Sequence, residues 1–247
     1  MTRQTNVLIT GMSGLIGGVV RQQLTGRYAL SALNRSAVEG VPCHQADIAN
    51  LDAILPAFQD IDVVVHLSAI AHGGTPWEDL LPTNVVGTYN VFEAARRAGV
   101  KRVIYASSGA TISGWEREDP YGALVEGRYD DVGDSWPMIT HQTPTRPNGL
   151  YGVTKVWGEA LARHFTDTTE LSILCLRIGH VTQDDQPHGS RDAAVWCSQR
   201  DIATMVECCI TAPAELKYDI FFVVSNNQWR YRDMEHAREG LGFEPQD

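Results

Sequence analysis

The sequence predicts an α/β protein built on a doubly wound parallel sheet, and three observations carry that expectation. Short runs rich in Val, Ile and Leu alternate with longer segments of helical period. A glycine-rich turn separates the first such run from the first helix. No internal repeat, low-complexity tract or obvious linker interrupts the alternation, and 247 residues suffice for one domain with a substantial core.

Taken in order, Asn6 to Thr10 is the first strand, with Val7, Leu8 and Ile9 as its apolar centre, and Leu15 to Leu24 is the helix that follows it. Ala29 to Asn34, Asp62 to Leu67, Arg102 to Ser107 and Leu171 to Ile178 are further short strands, and Phe221 to Val224 is a late one. Between them, Asn84 to Ala98, Leu150 to Phe165 and Asp201 to Ile210 carry apolar residues at helical spacing. The stretch Trp115 to Pro147 is the least regular, mixing acidic residues, aromatics and four prolines. A connection this long is more often functional than accidental, and it suits a lid or an oligomer contact, such as a homodimer.

Composition excludes several classes. The net charge of -10 argues against a nucleic-acid groove or an anionic membrane surface as partner. No run of 18 or more apolar residues appears, and the N-terminus lacks the apolar core of a signal peptide. Five cysteines with no CxxC spacing suit a reducing cytoplasm better than a disulfide framework, and they imply no metal site.

Two motifs carry chemistry. Thr10-Gly11-Met12-Ser13-Gly14-Leu15-Ile16-Gly17 stands between strand and helix, where backbone N–H groups at a helix N-terminus can hold a pyrophosphate. Glycine is frequent in this chain, 22 residues, so it is the position behind an apolar strand that makes the pattern informative. The expected fold is therefore Rossmann-like: one α/β domain over 1–247, mainly a dinucleotide-binding core over 1–178 and mainly a small substrate-binding portion over 179–247. Downstream, Tyr151 and Lys155 stand four apart and share one helix face. A free tyrosine, with a pKa of about 10, is a poor base at neutral pH unless nearby positive charge stabilises its phenolate, which an ammonium at this spacing supplies.

These motifs, with Asp47-Ile48, His66-Leu67-Ser68-Ala69, Asn84-Val85-Val86-Gly87-Thr88 and Ala106-Ser107-Ser108, make the chain resemble an extended short-chain dehydrogenase/reductase of the epimerase/dehydratase superfamily, over nearly its whole length. Within it, RPNGLYGVTKVWGEALARHF, LCLRIG, Trp196 with Ser198-Gln199-Arg200-Asp201 and the closing LGFEPQD are most similar to uronate dehydrogenases, which oxidise the anomeric carbon of a hexuronic acid with NAD. The resemblance implies that Ser108 holds the reacting oxygen, with Ser107 as the alternative, that Tyr151 is the acid/base, and that Lys155 lowers its pKa and holds the ribose. It implies cofactor contacts from Gly11, Ser13, Gly14, Leu15, Ile16, Gly17, Asp47, Ile48, Leu67, Ser68, Ala69, Asn84 and Ile178. Asn84 also reads as a helix-start cap.

Departures from that pattern bear on substrate and cofactor. Where uronate dehydrogenases follow the serine with Asn-His, Gly109 and Ala110 offer no side-chain hydrogen bond, so hexuronic acids are expected to be poor substrates. A serine expected near Ala71 is missing, with His72 beside it, and His180 replaces a serine after the sixth strand, either as a substrate contact or as a packed core histidine. Arg191 matches the arginine that pairs with a substrate carboxylate, a role suited to a planar two-pronged donor. The second strand ends in Asn34-Arg35-Ser36 rather than in the carboxylate that favours NAD, which tips the expected cofactor toward NADP. Together these features predict an NAD(P)-dependent oxidoreductase acting on a sugar, sugar acid or related small hydroxy or carbonyl compound. A nucleotide-sugar epimerase or dehydratase with retained NAD, and a non-catalytic NADP-binding regulator, are the alternatives.

Overall fold

A computed structural model of the protein describes residues 3–247. Seven strands, β1 (Asn6–Thr10), β2 (Ala29–Asn34), β3 (Cys43–Gln45), β4 (Val63–His66), β5 (Arg102–Ser108), β6 (Ser172–Ile178) and β7 (Tyr218–Val223), form one parallel sheet in the order β3-β2-β1-β4-β5-β6-β7. The helices are α1 (Leu15–Leu24), α2 (Leu51–Ile54), α3 (Trp77–Leu80), α4 (Thr88–Ala98), α5 (Tyr121–Glu126), α6 (Leu150–Thr168), α7 (Gly189–Val195), α8 (Gln199–Thr211) and α9 (Glu235–Leu241).

The period of two along each strand divides the core between the two faces of the sheet. Val7, Ile9, Val63 and Val65 pack with Val20 and Leu24 of α1 and Ile202, Met205 and Val206 of α8. Leu8 and Val64, the alternate positions, pack on the other face with Val91, Phe92 and Ala95 of α4 and Ala162 and Phe165 of α6. Both faces being buried, the central strands read as continuous apolar runs, which is why they were visible in the sequence.

The strand order reverses between β1 and β4, and a crevice opens there beyond the C-terminal ends of the strands. In register, Thr10 stands beside Leu33 and His66, and Ser108 beside Ile178. Residues far apart in sequence thus arrive at one edge of the sheet.

Some expectations change. The edge strand β3 is only Cys-His-Gln, too short and too polar to show a period. The helix expected over Asn84 to Ala98 is two elements, a π-helical turn Leu81–Gly87 leading into α4, with Pro82 near its start. The segment 115–147 contains α5 and docks on its own chain: Tyr129 stacks on Trp229 at 4.0 Å between ring centroids, Trp136 Nε1 donates to the Arg230 carbonyl at 3.0 Å, and Ser190 Oγ donates to the Val125 carbonyl at 2.7 Å. After Ile178, β7 extends the sheet and α8 covers it beside α1. Among the described residues, no helix is long and apolar enough to cross a membrane.

Candidate active site

The glycine turn is built by steric necessity. Gly11 has φ +72°, and its carbonyl accepts from Gly14 N at 3.0 Å. A Cβ at Gly17 would lie 2.4 Å from that same carbonyl oxygen, so only glycine allows α1 to start so close to β1. The helix is capped by Gly14 with no side-chain hydrogen bond, leaving the first-turn amides of Leu15, Ile16 and Gly17 without a side-chain cap. That cradle fits a pyrophosphate.

Beside it lies a cleft of about 290 Å³, which brings together Gly11, Ser13, Gly14, Asn34, Arg35, Ser36, Asp47, Ile48, Leu67, Ser68 and Ala69, all named from the sequence. Asn34 donates to Ser13 Oγ at 2.7 Å and keeps its own Oδ1 buried with no partner among the described residues, an acceptor that a ribose hydroxyl would satisfy. Thr10, which sequence reasoning passed over, holds the crevice open: its Oγ1 accepts from the amides of Leu67 and Ser68, each at 3.2 Å, and meets His66 Nδ1 at 2.8 Å. Burial, reinforced by the charge of Lys155, takes the His66 pKa down to about 3, so the ring is neutral. With Thr10 donating to Nδ1, His66 Nε2 donates to Thr88 Oγ1 at 3.3 Å, and the Thr88 hydroxyl donates to the Asn84 carbonyl at 2.8 Å.

The catalytic candidates meet where β5 ends and α6 begins. Ser108 Oγ accepts from Ala110 N at 3.1 Å and faces the Tyr151 phenol. Burial raises the Tyr151 pKa above 10, and the nearby Ser108 hydroxyl opposes that rise. Lys155 is buried; its Nζ donates to the Ala106 carbonyl at 2.7 Å and lies 5.7 Å from the centre of the Tyr151 ring. Loss of hydration brings the Lys155 pKa down to about 7 against the pull of Glu159. Ser107 lies on the other face of the strand, where its hydroxyl donates to Glu159 Oε1 at 2.6 Å. Glu159 is held in turn by the two prongs of Arg177 at 2.9 and 2.8 Å, both side chains being buried. Neither Glu159 nor Arg177 was singled out from the sequence, although Tyr151, Lys155 and Glu159 follow one another at intervals of four along one helix face.

Asn84 does not cap a helix start. It sits inside the π-helical turn, accepts from Ile70 N at 2.8 Å, and donates to the Ile70 carbonyl at 2.9 Å and to Thr154 Oγ1 at 3.2 Å. Thr154 donates to the Tyr151 carbonyl at 2.7 Å, so Asn84 ties the loop after β4 to the first turn of α6.

Of the residues expected to meet substrate, His72 is exposed on the loop after β4. His180 is not a packed core residue: its side chain is 53% exposed, and its Nδ1 donates at 2.7 Å to the buried Asp192. Gly109 is overlaid by the guanidinium of Arg232, whose Cζ would stand 2.4 Å from an added Cβ. Arg232 is buried, and its Nε and Nη1 have no partner among the described residues. The fork of Arg191, expected to meet a substrate carboxylate, is filled by Glu116: Nε and Nη2 each donate to one carboxylate oxygen at 2.8 Å. Outside the site, His141, Asp219 and His236 place ligand-type atoms within 4.8 Å of one another, with the two imidazoles stacked at 3.7 Å.

Residues 7–207 match the model of the NAD dependent epimerase/dehydratase family. An NAD-dependent glucose-6-phosphate dehydrogenase of Haloferax volcanii is 30% identical over 98% of this chain and 93% of its own length. An L-arabinose 1-dehydrogenase (NAD(P)+) of the same organism is 27% identical over 98% and 96%. Among solved structures, a mutant uronate dehydrogenase from Agrobacterium tumefaciens complexed with NAD superposes with a TM-score of 0.82 at 29% identity, over 99% of this chain and 86% of that one.

Proposed function

The chain belongs to the NAD dependent epimerase/dehydratase family, and from that premise we propose that it is an NAD(P)-dependent oxidoreductase acting on a sugar, sugar acid or related small hydroxy or carbonyl compound. The observation that carries the proposal is the meeting of Ser108, Tyr151 and Lys155 at the edge of the cleft formed by the glycine turn. All three relatives named above are sugar or sugar-acid dehydrogenases by name.

The residues fit a dinucleotide, because the uncapped amides of α1 suit its pyrophosphate and the orphaned Asn34 Oδ1 suits a ribose. When bound, its nicotinamide supplies the hydride acceptor or donor. The chain's own part is proton transfer: Ser108 orients the substrate oxygen, Tyr151 takes its proton in oxidation or returns one in reduction, and the ammonium form of Lys155 stabilises the phenolate. Buried Lys155 near neutrality can switch between charged and neutral forms without large cost. The Glu159–Arg177 pair keeps Ser107 out of the reaction and fixes α6 against β5 and β6.

NADP is the favoured cofactor, with NAD also accepted. Asn34 brings no negative charge against a 2′-phosphate, and Arg35 lines the same cleft. For assembly, we propose a homodimer that covers exposed apolar side chains among Trp77, Leu81, Val86, Tyr89, Leu150 and Val153. The five cysteines, all free, fit a reducing, cytoplasmic setting. The decisive experiment incubates purified protein with aldoses, uronic acids and sugar phosphates, each with NAD and with NADP, and follows the reduced nicotinamide. Turnover of free cofactor is expected. Tightly retained NAD with no net reduction would overturn this reading in favour of an internal redox cycle such as epimerisation.

A further inference from the structure

The contact between Glu116 and Arg191 joins the insertion to α7 across 75 residues of sequence, and it belongs to a larger cluster at the reacting centre. Glu116 lies on the 3₁₀ turn Ser113–Arg117, just after β5. Its Oε1 also accepts from Tyr231 Oη at 2.6 Å and lies 4.0 Å from Nη2 of Arg232. Arg232 in turn lies flat on Gly109, the residue that follows Ser108. On the other side, Asp192, next to Arg191, is committed to His180 and to the amide of His188 at 2.8 Å. The cluster therefore contains two guanidinium groups, Arg191 and Arg232, and one carboxylate facing them, that of Glu116.

We infer that Glu116 is a specificity-determining residue: it occupies the fork of Arg191 with the protein's own carboxylate, and so sets the site for substrates whose corresponding end is an uncharged, hydroxyl-bearing group, aldoses in preference to hexuronic acids. The inference rests on the sugar-dehydrogenase reading above for the identity of the substrate. Its physical basis is competition. A planar fork is the group best shaped to grip a carboxylate, and here both of its converging prongs are already bonded to one. An incoming carboxylate would have to expel Glu116, whose side chain is only 12% exposed, and would leave it with Tyr231 as its remaining hydrogen-bond donor. Burial alone would raise the Glu116 pKa, but the bonds from Arg191 outweigh it and keep the carboxyl below its ordinary range. It therefore does not leave the fork by becoming neutral near pH 7.

The test uses direct binding as well as turnover, so that it does not depend on finding the physiological substrate. Glucuronate and glucose are titrated calorimetrically into the NADP-loaded wild-type protein, Glu116→Gln and Glu116→Gln/Arg191→Ala. Glutamine keeps the shape and an acceptor for Tyr231 but removes the charge. Glucuronate should bind Glu116→Gln at least about tenfold more tightly than wild type, the scale of one charge-assisted contact, while glucose changes little. The gain should vanish in the double variant. A thermal melt checks that Glu116→Gln is folded. Should it not be, Arg191→Ala in the wild-type background decides: an unchanged Kd for glucuronate is expected, because Arg191 is not a substrate contact there. Glucuronate binding equally tight in wild type and Glu116→Gln, or about tenfold weaker in Arg191→Ala alone, would overturn the inference. If glucuronate affinity follows these variants while no sugar is ever oxidised, the enzyme reading fails and the assignment of Glu116 stands.

Discussion

The cleft beside the glycine turn, proposed to hold the cofactor, and the charged cluster around Arg191, proposed to meet substrate, are built from different materials. The cleft is made of backbone: a left-handed Gly11, a Gly17 with no room for a Cβ and the uncapped first turn of α1, all within one strand-turn-helix unit. The cluster is made of charged side chains brought from distant segments: Glu116 with Arg191, Arg232 over Gly109, and Asp192 behind His180. Backbone geometry recognises what every dinucleotide shares, whereas paired side chains can be exchanged one at a time to suit a particular substrate. The two halves should therefore fail differently, the cleft through steric strain and the cluster through uncompensated charge.

The largest effect is expected at the junction of the two. Tyr151→Phe should lower kcat by roughly 10²- to 10⁴-fold, the usual contribution of a positioned acid/base. Dinucleotide affinity and the melting temperature should stay near wild type, and steady-state kinetics with a cofactor titration checks all three. Normal turnover would remove Tyr151 from the mechanism.

Next comes the buried pair that stands behind both regions. Glu159→Ala strands Arg177, which is 2% exposed, and should cost about 3–5 kcal/mol of folding stability, read from urea unfolding. Gly17→Ala tests the cleft alone. Its new methyl meets backbone atoms of Gly11 and Met12, so about 1–3 kcal/mol of strain should appear as weakened dinucleotide binding. If glucuronate or glucose binding to the cofactor-free protein suffered as much as dinucleotide binding, the division into two independent halves would be wrong.

Lys155 gives a signed dependence on pH. Its folded pKa of about 7 lies below the ordinary value of 10.5, so between those values the unfolded chain holds a proton that the folded chain does not. The burden of burying the ammonium is complete below about pH 7 and is relieved as the pH rises toward 10.5. Wild-type stability relative to Lys155→Met should therefore climb with pH from 7, by up to about 1.4 kcal/mol per pH unit. A flat difference would mean that Lys155 stays charged. The smallest effect is expected at Arg35→Ala, which should weaken NADP by about tenfold, the scale of one charge-assisted contact, and leave NAD nearly unchanged. Equal losses for the two cofactors would point to stacking on adenine.

Much of this molecule is determined by sequence that is contiguous. The strand Asn6–Thr10, the glycine turn and Leu15–Leu24 stand where the apolar runs and the turn chemistry place them, since period and φ requirements act over neighbouring residues. The pairing of Tyr151 with Lys155 on one face is likewise a matter of helical spacing. The long, doubly covered strands were legible for the same reason, and the three-residue β3 was not, because an edge strand has little buried area to leave a pattern. Tertiary structure decided the rest. That Ser107 turns to Glu159 while Ser108 faces Tyr151 depends on the register of β5 against α6. That Asn84 latches the loop after β4 to Thr154, instead of capping a helix, depends on a π-helical turn with no sequence period of its own. The fork of Arg191 looked open in the sequence because its partner lies 75 residues away, in the least regular segment of the chain. Charge pairing acts through space, and only the folded sheet sets which distant side chains come within hydrogen-bonding distance.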